Sequence, residues 1–182
     1  MTRAAALLIA CLLAAQAGAQ GVSALKGHNS DAPADISADR IELQDRADRA
    51  VFVGRVHATQ GDLTMDAARM TVAYSRAPTP GADPVINRID ASGGVTVTSP
   101  SERAQGSYGI YDLNRRLITL IGGVTLTRGG NSVRGARLVI DLTSGRATVD
   151  GSAVGGSGTT TNNGGRVSGR FTVPQRTSPP QP

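Results

Sequence analysis

The six residues Gly93–Thr98 (GGVTVT) recur almost unchanged as Gly122–Thr127 (GGVTLT), and the match extends well past them. Read onward, GGVTVTSPSERAQGSYGIYDL and GGVTLTRGGNSVRGARLVIDL align without a gap. The same frame finds a weaker copy upstream, AVFVGRVHATQGDLTMDAARMTVAY with its glycine at Gly54, and a fragment downstream, ATVDGSAV with Gly151. A second marker keeps the frame: ADRIEL from Ala38, AARMTV from Ala67, GSYGIY from Gly106 and GARLVI from Gly135. Both series step by 29 residues, as from Gly93 to Gly122, apart from one step of 39, from Gly54 to Gly93 and from Ala67 to Gly106. The extra residues fall in APTPGADPVI, Ala77–Ile86, a Pro- and Gly-rich loop insertion. A period of this size belongs to stacked architectures, in which no unit can bury its apolar face alone.

Within each unit the apolar pattern has period two. Ile118, Leu120, Gly122, Val124 and Leu126 share one parity, while Thr119, Gly123, Thr125 and Thr127 take the other. Ala50, Phe52, Gly54, Val56 and Ala58 repeat the pattern, as do Ile89, Ala91, Gly93, Val95 and Val97. The other half of each unit alternates too, with Met70, Val72 and Tyr74 or Leu138, Ile140 and Leu142 against Arg69 and Thr71 or Arg137 and Asp141. Such alternation predicts strands with one apolar and one wet face. A glycine at one point of every repeat would bend all the strands together. Polar turns such as DLNRRL and DLTSGR supply the connections, and no segment carries helical periodicity. The expected fold is all-β: curved, stacked antiparallel sheets built from units of 29 residues, their apolar faces turned toward one another. Small and medium inward side chains suit two interiors, a dry core or a slot for something long and thin. A dry core is the simpler of the two.

The ends differ from this middle. Residues 1–19 read as a cleavable signal peptide: Arg3, an apolar run Ala4–Ala15 too short to span a bilayer, and the cleavage signature Ala17-Gly18-Ala19. Leu8-Ile9-Ala10-Cys11 resembles a lipoprotein box, but Cys11 lies in mid-run with more apolar residues after it. Ordinary cleavage leaves an exported chain without cysteine, whose stability must come from burial and sheet pairing. Residues 20–35 read as a flexible arm, 36–151 as the β domain, and 152–182 as a Gly- and Pro-rich tail, largely disordered, in which RVSGRFTV can add one strand. With Arg3 removed, the 19 basic and 14 acidic residues leave a formal charge of +4, suited to an anionic partner. Nucleic acid fits poorly, because base stacking needs aromatic rings and the chain has two Phe, three Tyr and no Trp.

An exported all-β chain with ADRIEL, AVFVGRVHATQGDLTMDAARM and GGVTLT…VRGARLVIDL in this order resembles the LptA/OstA-like family of lipopolysaccharide transport. The resemblance covers Ile36 to Gly151. The same module occurs in membrane-anchored LptC and at the amino terminus of LptD; the cleavable leader and the length favour the free periplasmic kind. The resemblance implies a twisted β-jellyroll, open at its ends, that holds the acyl chains of lipopolysaccharide. It implies lipid A as ligand, LptC-like and LptD-like proteins docked by sheet-edge pairing, and an end-to-end homo-oligomer bridging the two membranes. Carried onto this chain, the groove residues are Ile41, Leu43, Phe52, Val56, Met70, Val72, Val95, Val97, Tyr111, Ile118, Leu120, Val124, Leu126, Leu138 and Ile140, with Arg40, Arg69 and Arg137 toward the headgroup phosphates. The insertion at 77–86 and the tail depart from the family pattern.

Catalysis finds little to use. His28 lies in the arm and His57 on the wet side of a strand, neither with a metal-ligand companion at a useful spacing. Asp62 and Asp66 flank a turn, where Asp is common anyway. A polysaccharide-processing solenoid would set carboxylates along one wet face, but the aligned positions carry Arg69, Tyr108 and Arg137. The expectation is a protein without catalysis, cofactor or metal. The alternatives are a cargo-free β-scaffold, which shares every feature of the repeat, and an LptC-like component of the same pathway.

Overall fold

A computed structural model describes residues 25, 28–76, 79, 84–152 and 165–172, and the expected signal peptide lies outside them. Among these described residues, ten strands form one antiparallel sheet. They are β1 (Asp35–Ser37), β2 (Arg40–Gln44), β3 (Arg49–Gln60), β4 (Leu63–Ser75), β5 (Val85–Thr98), β6 (Glu102–Asp112), β7 (Leu117–Arg128), β8 (Asn131–Asp141), β9 (Arg146–Asp150) and β10 (Ser168–Arg170). Strands β3 to β8 pair in sequence order, each with the next. Two short strands share each edge: β1 and β2 both pair with β3, and β9 and β10 both pair with β8. The insertion is shorter than its composition suggests, because Val85 and Ile86 already belong to β5.

The marker glycines make the sheet bend. The register slips between Val53 and Val56, between Ser92 and Val95, and between Ile121 and Val124, each time across a marker glycine. Each slip is a β-bulge, one extra residue on the Gly strand, which bends the strand and strengthens its twist. Both bulge residues have positive φ: Gly54 and Arg55 at 83° and 43°, Gly93 and Gly94 at 84° and 81°, Gly122 and Gly123 at 86° and 60°. The first of each pair also lies against its neighbour: a Cβ on Gly93 would stand 2.6 Å from Ala68 Cβ, and one on Gly122 would stand 2.9 Å from Ser107 Cβ. On the intervening strands, two consecutive residues point outward opposite each bulge: Ala68 and Arg69, Ser107 and Tyr108, Ala136 and Arg137. The repeated GG and the repeated small-residue–Arg/Tyr pair are the two sides of one bulge.

The aligned bulges fold the sheet over on itself. Gln60 and Tyr111 sit three strands apart, on β3 and β6, which in a flat sheet is about 14 Å. Yet the Tyr111 hydroxyl donates to Gln60 Oε1 at 2.8 Å. One apolar cluster fills the fold, with Met70, Ile118, Leu120 and Leu138 fully buried at its centre. At about 25 cal/mol per Å² of apolar area removed from water, this burial is the main stabilising term in a domain whose described residues hold one short 3-10 turn, Asp45–Ala47, besides the strands.

Candidate functional site

The interior of the folded sheet is the candidate site. Twelve of the expected groove residues are buried there: Phe52, Val56, Met70, Val72, Val95, Val97, Tyr111, Ile118, Leu120, Val124, Leu138 and Ile140. Leu126 is partly buried against the same cluster. Ile41 and Leu43 are not buried. Their register opposite Phe52 and Ala50 gives them the inward parity, but they stand 53% and 69% exposed because β2 is an edge strand and no described residue covers it. The apolar face therefore continues past the core into solvent at this edge.

The structure places Arg40, Arg69 and Arg137, expected toward the headgroup phosphates, away from the apolar interior. They lie in one transverse row, Arg40–Val53–Arg69–Ser92–Tyr108–Ile121–Arg137–Asp150, that runs across the outer face beside the bulges. At Arg69 and Arg137 the bulge opposite turns two successive residues outward, while Arg40 takes the outer parity of β2 beside Ile41. The outer face is otherwise laced with exposed pairs. Arg55 grips Asp39 at 2.6 Å and Arg88 grips Asp90 at 2.7 Å. The Arg55 guanidinium beside Asp39 holds its carboxyl below the usual carboxylate range. His57 Nδ1 meets Asp66 Oδ1 at 2.6 Å, an exposed strand pair. Among the described residues no three His, Cys, Asp or Glu side chains come together as a metal site.

Sequence reasoning missed the polar groups on the inner side. Gln60 is buried and uses both ends of its amide: Nε2 donates to the carbonyls of Ser30 (3.0 Å) and Ala32 (2.8 Å), while Oε1 meets Tyr111 Oη and His28 Nε2. Burial pushes the Tyr111 phenol up from its ordinary value. Glu102, also buried, forms an ion pair with Arg128, its cross-strand partner. The signal was available: Gln60 continues the inward parity of Val56 and Ala58, and Arg128 that of Val124 and Leu126. The arm read as flexible is packed over its described residues. Leu25 joins the core cluster at 3% exposure, and Asp31 pairs with Arg116 at 2.9 Å.

Beneath the arm the interior has little free space. A void of about 20 Å³ is lined by Ala58, Gln60, Leu63, Met65, Ile89 and Tyr111. That is room for about one water molecule. Beside the arm, an open cavity of about 700 Å³ is bounded by Asp31, Pro33, Gln60, Val85, Leu113 and Arg116.

Three comparisons bear on this architecture. An uncharacterized protein of Rhizobium meliloti (strain 1021) is 34% identical over 148 residues, which is 80% of this chain and 79% of that protein. The crystal structure of LptH from Pseudomonas aeruginosa, described as the LptA homologous periplasmic component of the conserved lipopolysaccharide transport device, superposes with a TM-score of 0.65. It does so at 19% identity, covering 80% of this chain and 99% of LptH. The family described as LptA/(LptD N-terminal domain) LPS transport protein matches residues 35–146. An open, folded, antiparallel sheet with this repeat and this match leaves one conclusion: the chain belongs to the LptA/LptD N-terminal domain family of LPS transport proteins and has its β-jellyroll fold.

Proposed function

We propose that the chain is a periplasmic lipopolysaccharide-binding transport protein. It shields lipid A acyl chains against its apolar interior and bridges inner- and outer-membrane export complexes through its sheet edges. The observation that carries this reading is the unfinished apolar face at β2. Ile41 and Leu43 extend the core's inner surface into solvent on a strand whose outer edge has no described pairing partner. An exposed apolar edge strand is an aggregation hazard that a partner strand would relieve. The opposite edge has matching features, since Val167 and Phe171 flank β10 and are also exposed. The need for a conduit is physical. Each buried CH₂ is worth about 0.8 kcal/mol, so a lipid with several long chains does not cross water bare.

The test is displacement of a fluorescent acyl probe from the folded protein by lipid A. Saturable displacement is expected, weakened by Ile41→Asp with Leu43→Asp, two exposed positions that tolerate charge without unfolding. A folded protein that binds no probe overturns the lipid reading. It would favour the cargo-free scaffold, which the small interior void supports.

A further inference from the structure

We infer that the described part of the N-terminal arm, Leu25 and residues 28–34, is an internal stand-in for the ligand, and that its seat is the port that admits one acyl chain bearing an anionic head. The inference rests on the lipid-binding reading above and deepens it. Three observations converge on the seat.

First, Leu25 is foreign to the wall it completes. The other fully buried members of the apolar cluster lie on β3 to β8, or, for Leu142, on the turn that follows β8. Leu25 itself lies N-terminal to every strand of the ladder, yet it is 3% exposed. An apolar side chain inserted from outside marks where another apolar chain can sit.

Second, the arm brings a carboxylate as well. Asp31 Oδ2 accepts from Arg116 at 2.9 Å, at the mouth of the 700 Å³ cavity. The arm thus offers an apolar group to the interior and an anion to the rim, the two ends of a fatty acyl ligand. With the arm released, Arg116 faces the cavity with its pair partner gone and can take a phosphate or carboxylate in place of Asp31.

Third, the latch is polar, whereas the rest of the core is apolar. Gln60 holds the carbonyls of Ser30 and Ala32 and meets His28, whose ring lies 6.5 Å from that of Tyr111. The arm's own turn is closed by His28 N–H to Leu25 O and Ala32 N–H to Asn29 O, both 3.2 Å. Opening this latch exposes polar groups to solvent. Prying apart the folded sheet instead would separate Met70, Ile118, Leu120 and Leu138, none of which has any exposure. The void under the arm holds no acyl chain while the arm is in place. Ligand and arm therefore compete for one seat. The apparent affinity for ligand is reduced by the fraction of molecules in which the arm is seated.

The experiment uses the full exported chain and a dansyl-labelled saturated fatty acid. Leu25→Ser with Asp31→Asn unseats the arm and leaves the sheet untouched, and should tighten probe binding about tenfold. In that background Arg116→Ala should abolish the preference for the free acid over its methyl ester. In the unaltered chain, saturating probe should speed hydrogen exchange at the His28 and Ala32 amides, a readout that needs no variant to fold. Equal affinity in parent and double variant, with unchanged exchange at those amides, overturns the inference while leaving the slot reading intact. Failure of both folded proteins to bind probe overturns the two together.

Discussion

The bulge column makes a prediction that separates two costs usually confounded. Gly93 and Gly94 are adjacent, and both have positive φ, 84° and 81°. A Cβ at Gly93 would meet Ala68 Cβ at 2.6 Å, whereas a Cβ at Gly94 would meet nothing within 4 Å. Gly94→Ala therefore carries only the backbone cost of a left-handed L-residue, about 1–2 kcal/mol. Gly93→Ala carries that plus the overpacking of two methyl groups, typically about 1–3 kcal/mol more. At about 2–4 °C per kcal/mol for a domain of this size, the first should lower Tm by a few degrees and the second by roughly 10 °C. Thermal unfolding followed by circular dichroism, with urea titration as the check, reads both. Ala68→Gly in the Gly93→Ala background should recover the steric part and not the backbone part, giving a coupling of about 1–3 kcal/mol. Equal losses at the two glycines, or no coupling with Ala68, would refute the account of the bulge. The first repeat already agrees with it, because its second bulge position is Arg55, not glycine.

The ion pair between buried Glu102 and half-buried Arg128 should behave asymmetrically. Arg128→Ala strands the Glu102 carboxylate in the interior and should cost about 3–5 kcal/mol, while Glu102→Leu with Arg128→Leu should come close to the parent in urea unfolding. The turn after β8 should loosen in acid. The Thr143 and Ser144 amides both donate to Asp141 Oδ1, at 2.9 and 3.1 Å. The Ser144 bonds, foremost its backbone N–H, hold the Asp141 carboxyl below its ordinary 3.8. A depressed folded value means the stabilisation is complete above the unfolded value and is lost as pH falls through the lower folded one. Exchange at these two amides should therefore stay slow relative to the intrinsic rate down to about pH 4 and quicken below it. Asp141→Asn should remove the acid step.

Parity was the part of this fold most legible in the residues. Alternation around Phe52, Val95 and Leu120 assigned the inner face, and the aligned glycines located the bend. What alternation cannot report is whether anything lies opposite. Ile41 and Leu43 have the inward parity and are exposed, because exposure at an edge depends on the neighbouring layer, not on the strand's own sequence. The arginine row shows a second limit. Ala68-Arg69 and Ala136-Arg137 interrupt the alternation by one residue, and the interruption has meaning only once the facing bulge is known. The arm was least legible of all. A segment with one leucine and several polar residues reads as loose, and its order comes from Gln60 and Arg116, which are 35 and 91 residues beyond Leu25 in the chain.

The two exposed edges also differ from each other, and that difference is testable. Ile41 and Leu43 lie on β2, at the opposite end of the sheet from Val167 and Phe171 beside β10. Docking of β2 on the β9/β10 edge is heterologous: it uses two different surfaces, leaves one of each free, and generates open chains. Pairing of like edges would instead be isologous and stop at a dimer. Sedimentation velocity on two blocked variants decides between them. Ile41→Asp with Leu43→Asp blocks one end, and Val167→Asp with Phe171→Asp blocks the other. Under heterologous docking the parent grows in size with concentration, and each variant alone stays monomeric, because it retains only one kind of edge. A mixture of the two forms one-to-one dimers and grows no further, since each half supplies the edge the other lacks. A dimer formed by either variant on its own would show like edges pairing, and the end-to-end bridge could not then be built from copies of this chain.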